Sequence, residues 1–254
     1  QGGDTDTLTN VEKITATGQA DSFTLTSALL ATMSADNFYD GQGGTDTLTI
    51  TGNLDFNAAE LADHFTNMEV IDMTGVTTGF SEFAIDVDDI AALSSGNGST
   101  IRIRLDGANT EKINIQNGAS FTLSSAVSVS GNDTTYTISD GPNTITLVVE
   151  SAARVWGTLE NDVITDDGSN HNIYGLDGAD QISGGIGDDY IDGGNDDDSL
   201  TGGAGADTVI GGAGDDTVYV DNDGASADDL QGGTNTAAGD TLNAAAIAAG
   251  VTVD

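Results

Sequence analysis

The chain of 254 residues contains no cysteine, so disulfides and thiol chemistry are closed to it. It is also poor in positive charge: five Lys and Arg stand against 42 Asp and Glu, for a formal net charge of −37. That balance argues against nucleic acid and anionic membranes as partners and leaves cationic surfaces and divalent-bridged polyanions. No stretch approaches the roughly 18 apolar residues of a membrane span, so no transmembrane segment is expected. Neither His64 nor His171 belongs to an H-E-x-x-H helix, and no G-x-S-x-G elbow presents a serine nucleophile. No active site is legible, and the chain is expected not to be an enzyme. A signal peptide and an initiator Met are missing too, and the chain is read as a fragment or processed product of something longer.

The charge is unevenly placed. Lys13, Arg102, Arg104, Lys112 and Arg154 are the only basic residues, and none follows residue 154. The last hundred residues hold 20 Asp and one Glu. Without counterions such a segment expands, because self-repulsion opposes compaction and little apolar surface offsets chain entropy.

Within that segment an aliphatic residue falls at every ninth position: Ile164, Ile173, Ile182, Ile191, Leu200, Val209 and Val218. Asp162, Asp180, Asp189, Asp198, Asp207 and Asp216 each stand two residues earlier, the series broken only by His171. Glycines precede the aspartates, as in Gly184-Gly185-Ile186-Gly187 and Gly211-Gly212-Ala213-Gly214. Glycine-rich hexads turn tightly, and the remaining triplet is a short strand with one large side chain pointing inward. Two nonapeptides then make one coil, and turns on the same side recur every second repeat. Asp162, Asp180, Asp198 and Asp216 stack along one edge; Asp189 and Asp207 stack along the other. Carboxylates one coil apart, roughly 5 Å by sheet spacing, repel unless a cation lies between them. Calcium fits, since it takes oxygen ligands from carboxylates and backbone carbonyls together, and the stacking yields about four sites. A further site between His171 and Asp189 is disfavoured, because imidazole is a poor calcium ligand.

The pattern G-G-x-G-x-D-x-U-x resembles the RTX (repeats-in-toxin) calcium-binding β-roll. The resemblance implies a mostly all-β chain with a parallel β-roll, a β-solenoid, over residues 151–254. It implies several Ca2+ ions, held by the aspartates named above together with Gly185, Gly187, Gly203, Gly205, Gly212 and Gly214. It also implies type I secretion in an unfolded state, with folding outside the cell. Past Val218 the beat slips: Asp221-Asn222-Asp223-Gly224 reads as an insertion, Gly232-Gly233 through Asp240-Thr241-Leu242 restores the motif, and Ala244–Gly250 reads as a cap.

Residues 1–150 read as an irregular β-rich domain with short helices, built from two related units of about sixty residues. Thr9-Asn10-Val11-Glu12-Lys13-Ile14 matches Thr66-Asn67-Met68-Glu69-Val70-Ile71, and Phe23 and Leu25 match Phe83 and Ile85. Strands are expected at Glu69–Met73, Ile101–Leu105 and Lys112–Gln116, a strand running into a helix over Phe83–Leu93, and a helix over Asn57–Phe65. A hairpin is expected over Tyr136–Val149, turning at Asp140-Gly141-Pro142-Asn143 around the single proline. Gly41-Gln42-Gly43-Gly44-Thr45-Asp46-Thr47-Leu48 is a degenerate nonapeptide. Asp6, Asp36 and Asp46 are read as solvated turn residues, with a cation site there as the alternative. Trp156 is read as packing at the junction, and Arg102 and Arg104 as paired with acidic residues on a strand face.

These patterns resemble the modules that precede the RTX region in large, type-I-secreted adhesins and surface proteins. The expected function is a non-catalytic, calcium-dependent structural module of adhesin or surface-layer type, secreted or at the cell surface, with calcium and neighbouring domains or copies of a surface protein as partners. The alternatives are a C-terminal accessory domain of a secreted protease, lipase or epimerase, and a sugar- or peptide-binding domain within residues 1–150.

Overall fold

The computed structural model describes residues 13–26, 29, 38–51, 63–76, 82–94, 98–105, 112–117, 120, 122–150, 154–220, 228–234, 239–244 and 252–253. From residue 154 onward the chain winds as a parallel β-solenoid. Strands Val163–Thr165, Gln181–Ile186, Ser199–Ala204, Thr217–Val220 and Thr241–Ala244 follow one another in one sheet. Strands Arg154–Trp156, Asn172–Leu176, Tyr190–Asn195, Thr208–Ala213, Asp229–Thr234 and Thr252–Val253 form the facing sheet. Register follows the nine-residue beat: Ile164 lies beside Ile182, Ile182 beside Leu200, Ile173 beside Ile191 and Ile191 beside Val209.

These aliphatic side chains are buried between the sheets in two stacks. Each contributes about 1.5–3 kcal/mol by leaving water. The stacks are narrow, one large aliphatic residue per repeat; Val155 and Trp156 join them at the start of the roll, and Tyr174 and Leu176 pack against them partly buried. Past Val218 the structure keeps register by lengthening the coils: Thr208 pairs with Asp229 and Thr217 with Thr241. Leu230 thereby becomes the next buried aliphatic residue, a position the interrupted sequence pattern concealed. Residues 221–227 and 245–251, where the insertion and most of the cap were placed, lie outside the described residues.

The first half is more regular than its sequence implies. Ser22–Thr26, Thr47–Thr51, Val70–Gly75 and Thr100–Arg104 run parallel in succession, and Lys13–Thr15, Phe38–Asp40 and Phe65–Thr66 form a second parallel set. Leu25, Leu48, Ile50, Ile71, Ile101 and Ile103 fill the interior. The strand Glu82–Asp86 runs directly into the helix Val87–Leu93, which Asp86 caps by accepting from the Asp88 amide. Asn57–Phe65 does not end as a helix: Phe65 starts a strand beside Tyr39, whose ring it stacks on at 5.0 Å, while residues 57–62 are not described. Aromatic stacking and strand pairing outweigh local helix propensity there.

The hairpin forms as expected, Asp133–Ser139 against Thr144–Glu150. Thr144–Glu150 also pairs with Thr100–Arg104, and Ala126–Ser130 pairs with Val163–Thr165. One 13-stranded sheet therefore crosses residue 150 from the first half into the roll. Arg102 bridges Asp133 at 2.8 Å and Glu150 at 2.6 Å, and Arg104 bonds Glu150 at 3.1 Å, so these cations tie strands together. Trp156 packs where sequence placed it. Its ring stacks on Tyr174 at 4.5 Å, and its carbonyl accepts from the Tyr136 hydroxyl.

Candidate metal centre

Each turn of the roll places its aspartate side chain inward, almost fully shielded from water. One oxygen is consumed by the coil before it. The Asp162 amide donates to Asp180 Oδ1, the Asp180 amide to Asp198 Oδ1 and the Asp198 amide to Asp216 Oδ1, each at 2.8 Å. On the other edge the His171 amide donates to Asp189 Oδ1 at 2.8 Å and the Asp189 amide to Asp207 Oδ1 at 2.9 Å. The structure thus places Asp162, Asp180, Asp198 and Asp216 in one ladder and Asp189 and Asp207 in a second. The first ladder continues to Asp240, in the motif restored after the insertion, and the second to Asp228, which the motif did not indicate.

The second oxygen is what matters for a ligand. Oδ2 of Asp180, Asp189, Asp198 and Asp216 is buried with no hydrogen-bond partner. A buried carboxylate oxygen without a donor costs free energy that a bound cation removes. Each of these oxygens faces the open side of the glycine five residues earlier, where the carbonyl of the next coil also points. A Cβ on Gly175 would strike Asp180 Oδ2 and the Gly193 carbonyl; on Gly193, Asp198 Oδ2 and the Gly211 carbonyl. The same holds on Gly211, for Asp216 and Gly232, and on Gly184, for Asp189 and Gly202. Missing side chains leave four all-oxygen cradles, a donor set that suits a hard cation such as Ca2+.

These leading glycines were not among the ligands the sequence singled out, although each stands five residues before its aspartate. Gly185, Gly187, Gly203, Gly205, Gly212 and Gly214, the glycines the resemblance assigned to calcium, form the turns themselves. Their φ angles run from +90° to +154°, a region that glycine enters without strain.

Two turns are closed by the protein's own groups. Asp162 Oδ2 accepts from the Thr158 amide at 2.6 Å and the Thr158 hydroxyl at 2.9 Å. At His171 the leading glycine is replaced by Asp166, and the pair fills the turn. His171 Nδ1 lies 2.6 Å from Asp166 Oδ2, and Nε2 lies 2.8 Å from the Gly131 carbonyl. With Asp166 Oδ2 at one nitrogen and a carbonyl at the other, the turn favours the imidazolium, the form that donates from both. Burial opposes that charge, but Asp166, the Gly131 carbonyl and the nearby Asp189 outweigh it and raise the histidine's pKa. Asp166, His171 and Asp189 lie close enough to hold a metal; the ring supplies the positive charge itself.

Burial drives the other carboxyls upward. Asp180 is pushed up to about 8, Asp198 to about 7 and Asp189 to about 6, with desolvation the main cause and the ladder hydrogen bonds opposing it. Folded values above the ordinary carboxylate range mean that the metal-free roll is favoured at low pH and loses that stability as pH rises from 3.8, the ordinary value, to about 6 to 8. Cation uptake must displace the same protons. The chain is therefore expected to bind calcium more weakly at pH 6 than at pH 8. Calorimetric titrations at the two pH values check this; equal affinities contradict it.

A parallel β-roll lined by buried carboxylates and glycine carbonyls is the architecture of a calcium-binding structural module. The family model described as the RTX calcium-binding nonapeptide repeat (4 copies) matches residues 156–191, 167–200 and 192–224. Residues 156–224 are thus RTX repeats, which bind several Ca2+ ions per array and are typical of secreted proteins. No curated protein matches the chain. Among the described residues no helix is long and apolar enough to cross a membrane.

Proposed function

We propose that this chain is a non-catalytic, calcium-dependent structural module of a secreted RTX protein of adhesin or surface-layer type, which folds after leaving the cell. Residues 1–150 and 151–254 are its two parts. Asp180, Asp189, Asp198, Asp207 and Asp216 hold the ions together with the carbonyls of the glycine turns. Asp162 closes the first coil through Thr158. Bound calcium supplies the positive charge and oxygen coordination that let stacked carboxylates lie one coil apart.

The observation that carries this reading is the row of buried, unpartnered Oδ2 atoms, a feature a metal-free fold has no use for. Geography follows from affinity. Extracellular calcium modules bind at about 10⁻⁴–10⁻³ M, so the aspartate ladders repel one another at cytosolic calcium and the chain stays extended.

Proteolysis tests the compartment. Trypsin has no site after Arg154, so proteinase K is the probe. Residues 154–220 are expected to be degraded at micromolar calcium and protected at millimolar calcium. Protection already at micromolar calcium would show that the chain folds inside the cell and would refute the proposal.

A further inference from the structure

Asp46 was read from the sequence as a solvated turn residue; in the structure it is completely buried. The reason is a ladder like that of the roll, in coils of different length. The Asp21 amide donates to Asp46 Oδ1 at 2.7 Å across 25 residues, and the Asp46 amide donates to Glu69 Oε2 at 2.9 Å across 23 residues. Asp21 opens this ladder as Asp162 opens the other: its Oδ2 accepts from the Thr17 amide at 2.9 Å and the Thr17 hydroxyl at 2.8 Å. Asp46 Oδ2 is buried and has no hydrogen-bond partner.

That oxygen faces a cradle. A Cβ on Gly41, five residues earlier, would strike the Asn67 carbonyl and would lie 2.7 Å from Asp46 Oδ2. In the roll, Gly175, Asp180 and the Gly193 carbonyl stand in the same relation. Backbone conformations match position by position. Gln42 has φ +70° where Leu176 has +86°, and Gly44 has +133° where Gly178 has +108°. The charges of Glu69, Asp21 and Asp40 that bear on Asp46 are all negative. A buried acceptor oxygen, a converging carbonyl and a negative surround call for a hard cation.

We propose that Asp46 Oδ2 and the Asn67 main-chain carbonyl bind a calcium ion over the bare face of Gly41, at a site separate from the nonapeptide array. Asp6 and Asp36, the other aspartates of the degenerate motifs, lie outside the described residues. The site locks the coil Phe38–Thr51 onto the coil that carries Asn67.

Hydrogen exchange by mass spectrometry on the full chain tests this, in chelator and at about 1 mM calcium, some ten times the dissociation constant typical of tight extracellular modules. Amides of Thr47–Thr51 are expected to exchange about tenfold more slowly with calcium. Asp46→Asn, which keeps shape and the Asp21 hydrogen bond, is expected to lose that slowing. A roll variant, Asp180→Asn with Asp198→Asn, is expected to retain it. Wild-type protein in which calcium slows exchange over residues 172–220 but not over 47–51 would overturn the proposal and leave the roll reading intact. Slowing at 47–51 that survives in Asp46→Asn, or disappears in the roll variant, would overturn it equally.

Discussion

Asp198→Ala is expected to raise the calcium concentration at the midpoint of folding by at least about tenfold. Asp198 is the middle rung of its ladder. Its Oδ1 accepts from the Asp180 amide, its own amide donates to Asp216, and its Oδ2 faces the Gly211 carbonyl across the cradle. The substitution deletes a ligand and strands the Asp180 amide in the interior. That donor alone costs about 1–3 kcal/mol, and about 1.4 kcal/mol corresponds to a tenfold change in an equilibrium constant. Asp197→Ala is the control: it removes the same charge from an exposed neighbour, and water can replace the exposed bond its Oδ1 accepts from the Asp215 amide. Its shift is expected to stay well below tenfold. Equal shifts in a calcium titration followed by circular dichroism would mean that overall charge, not the ladder, governs folding.

Gly193→Ala is expected to do comparable damage without touching any charge. Gly193 is not at positive φ, so alanine fits its backbone. The new methyl would instead enter the cradle, against Asp198 Oδ2 and 2.5 Å from the Gly211 carbonyl. Relief requires the coils to part, and overpacking of this kind costs about 1–3 kcal/mol. The calcium midpoint is expected to rise about tenfold, with fewer ions bound at saturation by equilibrium dialysis. Gly18→Ala, where nothing lies within 4 Å, is expected to change neither quantity. A full complement of ions in Gly193→Ala would place the calcium elsewhere.

What was legible in the sequence depended on periodicity. The nine-residue beat fixed the roll, its edges and its aspartate ladders, because each repeat has a single inward aliphatic residue and equal coils keep the register visible. Where coils change length the same structure disappears from view. Asp228 and Leu230 continue the roll after an insertion, 21 residues beyond Asp207 in the ladder instead of the usual 18. The solenoid of the first half has ladder steps of 25 and 23 residues, so no fixed period betrays it. Pairing rather than composition decides whether Asp46 is buried. His171 looked like a defect because the replacement of its leading glycine by Asp166 has meaning only when the two side chains meet. The leading glycines were visible but were read as turn formers, since the function of a missing Cβ depends on what faces it.

On the proposed function, the two aliphatic stacks do not hold the roll together until ions lie between the buried carboxylates. The direct test is far-UV circular dichroism of the full chain, titrated with calcium from excess chelator at neutral pH. The full chain is required because Ala126–Ser130 pairs with Val163–Thr165, the strand a truncation at residue 150 would leave bare. A cooperative gain of β-structure that magnesium does not reproduce is expected. Unchanged spectra from chelator to millimolar calcium, with the β-structure already complete, would contradict it.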